Sequence, residues 1–149
     1  MSLKKSILFV ILVLVIDQVS KIYIKTNFQL DQEVYVFDWF RIHFIENDGM
    51  AWGVELPGNY GKLFLTLFRI LAVGGIFWWL KDSIEKNSSK ILIISISLIL
   101  AGALGNIVDC VFYGVIFNDS KHEVATLFSN EPYGTWFHGK VVDMFYFPI

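Results

Sequence analysis

The chain has 149 residues, of which 55% are hydrophobic, and its formal net charge is −2. Its mean hydropathy is +0.56, and its apolar content exceeds the roughly 45–50% that is usual in soluble domains. The length suits one domain, and the charge balance lacks the basic excess of a nucleic-acid-binding protein. Cys110 is the only cysteine, which excludes an internal disulfide.

Three long apolar stretches predict membrane-spanning helices, because a bilayer core takes about 20 apolar residues of helix. They cover residues 6–24, 63–80 and 91–116. The first stretch could instead belong to a cleaved signal peptide, but residues 17–20 make a poor cleavage site. The other two stretches indicate a membrane protein in either case.

The lysines predict the orientation of these spans, because short cytoplasmic loops carry an excess of Lys and Arg. Two lysines precede the first span and three lie in the short segment between the second and third: Lys4, Lys5, Lys81, Lys86 and Lys90. We therefore expect a cytoplasmic N-terminus. Residues 25–62 and 117–149 should then be extracytoplasmic.

The first extracytoplasmic segment contains two runs of β-forming residues, at 33–37 and 41–45. We expect these runs to form a small sheet that lies on the outer membrane surface. Residues 117–140 are polar and contain Gly and Pro, which predicts an outer loop. The expected fold class is therefore membrane α-helical, with a small β-rich extracytoplasmic segment lying on the membrane.

Unusual polar residues fall on one side of the predicted membrane. Asp17 and Lys21 lie at the outer end of the first span, and their spacing of four places them on one helix face. The other members lie near the outer end of the third span or in the outer segments: Asn47, Gly49, Asn106, Asp109 and Asp143. Ionisable groups within membrane spans are costly and are therefore functional candidates.

Each of these patterns also has a simpler explanation. Asp17 and Lys21 could form an interfacial ion pair that anchors a helix end. Gly102, Asn106 and Asp109 form one stripe on the third span, which could serve only helix packing, with Asn106 as an interhelical hydrogen-bonding group. For Arg69, the single charge in the second span, we expect a structural role, either directed outward to the interface or paired with a carboxylate.

Other chemistries are poorly supported by the sequence. The three histidines are far apart, at His43, His122 and His138, and the second lacks the partner spacing of a zinc protease. No serine lies in a nucleophile elbow, and Cys110 sits in an apolar run where a thiol is usually inert. Carboxylate chemistry without a metal or organic cofactor remains.

Four segments, in order, resemble the motifs of the lipoprotein signal peptidases (signal peptidase II). They are Asp-Gln-Val-Ser-Lys at 17–21, Asn-Asp-Gly-Met-Ala-Trp at 47–52, Gly-Ala-Leu-Gly-Asn-Ile-Val-Asp at 102–109 and Val-Val-Asp-Met-Phe at 141–145. Each pattern is weak alone, but their order and their places on the predicted topology are specific. The resemblance covers essentially the whole chain.

The resemblance implies an aspartyl peptidase of the bacterial inner membrane with four transmembrane helices. Such enzymes remove signal peptides from prolipoproteins and cut before a diacylglyceryl-modified cysteine. Asp143 matches one catalytic aspartate. Site-support or substrate-positioning roles fall to Asp17, Lys21, Asn47, Gly49, Ala51, Gly102, Asn106 and Asp109. We expect a monomer that contacts lipid-modified prolipoproteins and membrane lipid, but no nucleic acid.

The chain departs from the family pattern in three places. The second catalytic aspartate belongs to a fifth motif, Asn-x-Ala-Asp, at the start of a fourth helix, and these 149 residues lack it, so we expect a C-terminally incomplete chain. Cys110 stands where many members have arginine. Residues 117–140 are longer than in many members and could form a lid or a tolerated surface insertion.

The departures leave other interpretations open. The chain could be a truncated, inactive copy of the enzyme or a non-catalytic membrane scaffold. A small transporter subunit would instead spread its acidic groups through the bilayer depth. Asp109 could in principle serve as the second acid.

Overall fold

The computed structural model describes residues 1–47 and 61–148, with Lys62 described by its backbone alone. Gly49 and Ala51, named above as site residues, lie outside these ranges. The helices are α1 (Leu3–Asn27), α2 (Gly61–Glu85) and α3 (Lys90–Ile116). The strands are β1 (Glu33–Phe37), β2 (Phe40–Asn47) and β3 (Val141–Tyr146).

The three predicted membrane helices are confirmed. All three are long and apolar enough to cross a bilayer. α1 and α2 extend a few residues beyond the apolar stretches that predict them, and α3 begins one residue earlier than its stretch. Capping helps to set two of their starts, since Ser2 Oγ accepts from the Lys5 amide and Ser89 Oγ accepts from the Leu92 amide, each at 3.2 Å.

α3 packs against both α1 and α2. The short connection between α2 and α3 makes these two helices antiparallel neighbours. A buried apolar cluster joins all three helices: Val10, Leu80, Ile93, Ile96, Leu100 and Ala101. Large apolar side chains elsewhere on the helices face outward, among them Leu71 at 75% and Ile91 at 79% exposure. Exposed apolar surface of this extent marks a membrane contact.

The strands form one antiparallel sheet in the order β1-β2-β3. The expected β1–β2 pair is confirmed, whereas β3 was not predicted as a strand. In the β2–β3 pair, Ile45 lies opposite Asp143 and Asn47 lies opposite Val141. Asp143 therefore lies on a strand of the sheet and not in a loop.

A second apolar cluster anchors the sheet to the ends of α1 and α3. Its buried members are Ile24, Phe44, Tyr113, Phe117, Ala125, Val142 and Met144. We call this end of the helix bundle, where α1 and α3 finish, the sheet end. The cluster fixes the inner face of β2 and β3 against the helices.

Residues 117–140 fold back along the last turns of α3. The amides of Gly134, Phe137 and Gly139 donate to the carbonyls of Gly114, Val111 and Cys110 at 2.9, 3.2 and 2.9 Å. A side chain at Gly139 would overlap the carbonyl oxygen of Asp109. The segment is therefore packed on α3, and the Gly134 amide meets the Gly114 carbonyl, which the helix end would otherwise leave without a partner.

The contact between α1 and α3 is close at Gly105. A Cβ atom there would overlap Oδ2 of Asp17 and lie 3.1 Å from its Cγ atom. Gly102, one turn earlier, has no atom within 4 Å of a corresponding Cβ among the described residues. The close approach therefore depends on Gly105.

We expect Gly105→Ala to lower the free energy of unfolding in detergent relative to Gly102→Ala, by about 1–3 kcal/mol because of overpacking. Both substitutions gain the same helix propensity, so their difference isolates the contact with Asp17. Equal stabilities of the two variants would contradict this account.

Candidate active site

A buried carboxylate lies at the centre of the polar residues at the sheet end. Asp109 on α3 is fully buried. Its Oδ2 atom lies 2.9 Å from Lys21 Nζ and accepts from the Val142 amide at 3.1 Å. Its Oδ1 atom accepts from Gln18 Nε2 at 3.1 Å. Pairing and hydrogen bonding of this kind are what a buried charge requires.

Lys21 joins the first and third motif segments. Its Nζ atom also lies 3.2 Å from Asp17 Oδ2 and donates to Asn106 Oδ1 at 3.1 Å. The predicted spacing of Asp17 and Lys21 on one face of α1 is thus realised. Asp17, Lys21, Asn106 and Asp109 form one network, together with Gln18.

Two members of this network escaped the sequence reasoning. Gln18 Nε2 contacts Asp17, the Gly105 carbonyl and Asp109, and the Tyr113 hydroxyl donates to Gln18 Oε1 at 2.7 Å. Tyr113 lies four residues after Asp109, so it continues the polar stripe of α3 by one turn. This spacing could have identified Tyr113 as a network member from the sequence.

Asp143 lies on β3, directly after the residue whose amide Asp109 accepts. Its Oδ2 atom accepts a hydrogen bond from Asn47 Nδ2 at the end of β2. Desolvation by the surrounding protein raises the pKa of Asp143 above its ordinary value, against the opposing effects of the Asn47 hydrogen bond and the cations Lys21 and Arg69.

The remaining predicted residues lie as follows. Gly102 is exposed, and a Cβ atom built there would meet no side chain within 4 Å in the described ranges. Arg69 donates through Nη1 to Cys110 Sγ at 3.0 Å. Across residues 1–47 and 61–148, no three His, Cys, Asp or Glu side chains gather as a metal site would require.

The bonding of Asp109 bears on its role. Both of its oxygens are occupied by donors from α1 and β3. This favours support of the site over the alternative of a second acid. Asp17, Asp109 and Asp143 also share one end of the bundle, which disfavours an acidic pathway through the membrane.

Comparison of the chain with known proteins identifies the family to which it belongs. The model of the family described as signal peptidase (SPase) II matches residues 9–149. The chain belongs to the signal peptidase II family. It is 51% identical to the lipoprotein signal peptidase of Porphyromonas gingivalis over 142 residues, which are 94% of this chain and 62% of that protein. Identity to the Amoebophilus asiaticus lipoprotein signal peptidase is 39%, over 91% of this chain and 56% of that relative.

Two solved structures share this fold. Two chains described as bacterial membrane enzymes superpose with TM-scores of 0.67 and 0.66 at 26% identity. They cover 99% of this chain, which spans 72% and 76% of their lengths. The chain thus spans somewhat under two thirds of the curated relatives and about three quarters of the solved ones.

A second polar cluster lies outside the four segments that resemble signal peptidase II motifs. Lys25 at the end of α1 bonds to Glu46 on β2 and donates to Ser120 Oγ at 3.0 Å. Both charged side chains are almost fully buried. Three aromatic rings surround the Lys25 ammonium, with centroids at 5.1–5.8 Å: Phe44, Phe117 and Tyr133.

This cluster joins three parts of the signal peptidase II fold: α1, β2 and residues 117–140. Glu46 directly precedes Asn47, which bonds to Asp143. The pair therefore fixes the strand that orients the candidate catalytic carboxylate. Sequence reasoning missed it because the two residues are 21 positions apart and each looks like an ordinary flanking charge.

We expect Lys25→Met to lower the free energy of unfolding by about 3–5 kcal/mol, because it leaves the Glu46 carboxylate buried without its cation. The double variant Lys25→Met/Glu46→Gln should recover most of that loss. Denaturant titration in detergent measures both.

Lys86→Met provides the matched control, since Lys86 pairs with Asp82 at 2.9 Å but is 72% exposed. Loss of such a surface pair costs at most about 1 kcal/mol. A Lys25→Met loss as small as that of the control would contradict the structural role of the buried pair.

Proposed function

We propose that the chain acts as the greater part of a lipoprotein signal peptidase, which removes signal peptides from diacylglyceryl-modified prolipoproteins by cutting before the lipidated cysteine. Family membership supports the reaction. The observation that carries the proposal is the Asp109–Val142 hydrogen bond, which holds β3 at the residue before Asp143. Asn47 then bonds to the Asp143 carboxylate.

The proposed chemistry uses two carboxyl groups in different protonation states. Two close carboxylates in a poorly hydrated site do not both ionise easily, so one retains its proton. The ionised member removes a proton from water, and the protonated member polarises the scissile carbonyl and later supports the leaving amine. No metal or organic cofactor takes part in this scheme.

We assign the ionised role to Asp143. The Asn47 amide donates to its carboxylate, and this bond stabilises the charged form against the desolvation that raises the Asp143 pKa. The resemblance implies that the partner carboxyl belongs to the family's fifth motif, which these 149 residues do not contain.

The network behind β3 would serve as the support of this site. Asp109 holds the strand, Lys21 neutralises Asp17 and Asp109, and Asn106 accepts from Lys21. Gly49 and Ala51 are proposed as substrate-positioning residues on the motif resemblance alone.

The proposed setting is the bacterial inner membrane, with a cytoplasmic N-terminus and the site at the extracytoplasmic face. A signal peptide enters the bilayer as a helix, and its lipidated cysteine stays at the outer leaflet. A carboxyl pair at the sheet end of the bundle could reach the scissile bond there. We propose that the enzyme works as a monomer.

We expect Asp143→Asn to abolish cleavage of a lipopeptide substrate, because the amide cannot accept the proton of water, while thermal stability stays close to that of the parent protein. Asp109→Asn should lower both stability and activity, because it removes the charge that pairs with Lys21. Activity and melting temperature are measured on the same detergent-solubilised full-length variants.

Parent-level cleavage by Asp143→Asn would refute the assignment of the catalytic carboxylate. An inactive parent protein with intact folding would favour a non-catalytic role for the chain.

The pH dependence follows from the raised pKa of Asp143. As the pH falls through that pKa, Asp143 becomes protonated and can no longer activate water, so kcat/KM should decline on the acidic side. The midpoint of this decline should lie above the ordinary aspartate pKa of about 3.9. Initial rates over the acidic range test this, and a constant rate down to that ordinary value would contradict it.

A further inference from the structure

The segment 117–140 carries an aromatic edge on the outside of α3. Trp136 is 56% exposed, and Phe112 on α3 is 40% exposed. Their rings meet edge to face, with centroids 5.6 Å apart and an interplanar angle of 78°. Between Glu131 and Lys140 the sequence holds no Asp, Glu, Lys or Arg. Exposed apolar surface without charges marks a contact with a partner or with the membrane.

The backbone fixes Trp136 against α3. The Phe137 amide donates to the Val111 carbonyl at 3.2 Å, and the His138 amide donates to the Thr135 carbonyl at 3.1 Å, which closes a turn around Trp136. Phe137 has a φ of 65°, a conformation that is costly for a bulky residue and persists only where the surroundings enforce it. A turn that met only water would be easier to build with Gly or Asn there. Two aromatic residues are therefore kept at this turn in spite of the backbone strain.

The depth of Phe112 along α3 indicates what the aromatic edge meets. α3 begins at Lys90, whose charge marks one boundary of the apolar span. A hydrocarbon core about 30 Å thick takes about 20 residues of helix at about 1.5 Å per residue, which places the other boundary near Val111. Phe112 and Trp136 therefore lie where the hydrocarbon core meets the lipid headgroups, the level at which Trp and Tyr are enriched.

The other end of the bundle carries a corresponding pair of tryptophans. Trp78 and Trp79 lie in the last two turns of α2, shortly before Lys81, and they are 66% and 42% exposed. Since α2 and α3 are antiparallel, this is the end at which α3 begins. Exposed tryptophans thus lie near both ends of the helix pair, as the two aromatic belts of a membrane protein do.

We propose that the turn around Trp136 is a membrane anchor, which places the Trp136 ring beside Phe112 in the headgroup region of the bilayer at the sheet end. The partner is the lipid surface, so the inference does not rest on the proposed peptidase function. It also separates the two roles left open for residues 117–140. A lid would have to release the bonds from Gly134 and Phe137 to α3, whereas an anchor keeps them.

The experiment measures the depth of position 136 in phosphatidylcholine vesicles. Trp136→Cys, in the full-length protein that carries this sequence, is labelled with an environment-sensitive nitrobenzoxadiazole fluorophore. The vesicles contain lipids brominated either near the carbonyl end or near the methyl end of the acyl chains. Glu131→Cys is the matched control, because Glu131 is an exposed, charged residue of the same segment. The parent protein, whose Cys110 is only 2% exposed, corrects for label that reaches the native thiol.

We expect the label at position 136 to lose most of its fluorescence with bromines near the carbonyl end and less with bromines near the methyl end. The label at position 131 should lose little with either lipid. Equally weak quenching at the two positions overturns the inference, and it is the result expected if water or a further segment of the chain covers Trp136. Stronger quenching from the methyl end also overturns it, because the ring would then lie in the hydrocarbon core.

If Trp136→Cys does not fold, Trp136→Phe provides the second test, because it keeps an aromatic ring beside Phe112. The intrinsic fluorescence that this variant loses relative to the parent is the contribution of Trp136. Lipids brominated near the carbonyl end should quench that contribution in the parent protein. A contribution that these lipids leave unquenched overturns the inference.

Discussion

The hydrogen bond from the Val142 amide to the buried carboxylate of Asp109 joins the sheet to the membrane helices. Asp109 can remain buried as a charged group only because Lys21 and Gln18 meet it from α1. The ion pair between α1 and α3 and the attachment of β3 are therefore one arrangement. The position of β3, and with it that of Asp143, depends on this arrangement.

The sequence was sufficient for the helices because membrane spans are specified by local apolar length. It was also sufficient for β1 and β2, whose residues are close in the chain and rich in β-formers. The strand β3 was missed although Val141, Val142 and Phe145 are good β-formers. Its partner β2 lies nearly one hundred residues earlier, and no local pattern specifies so distant a pairing.

The same distinction applies to the site. Motif resemblance selected Asp17, Lys21, Asn106 and Asp109, and the structure brings these four together. It did not select Gln18 or Tyr113, whose roles depend on the rotation of α1 against α3. Of the two glycines at 102 and 105, it is Gly105 that lies against Asp17 in the described structure, and the resemblance named only Gly102 as a site residue. Helix rotation of this kind is decided by packing between helices.

The length of the segment 117–140 is only weakly constrained by the site. Asp109 and Val142 are 33 residues apart in sequence, yet their bond closes a loop whose base is already held by the pairing of Gly139 with Cys110. The entropy of closing a flexible loop grows slowly, by about 0.6 kcal/mol for each doubling of length. Changes in length that leave the contacts of Ser120, Tyr133, Gly134 and Phe137 in place would therefore cost the site little, whereas a change at the base itself would open it.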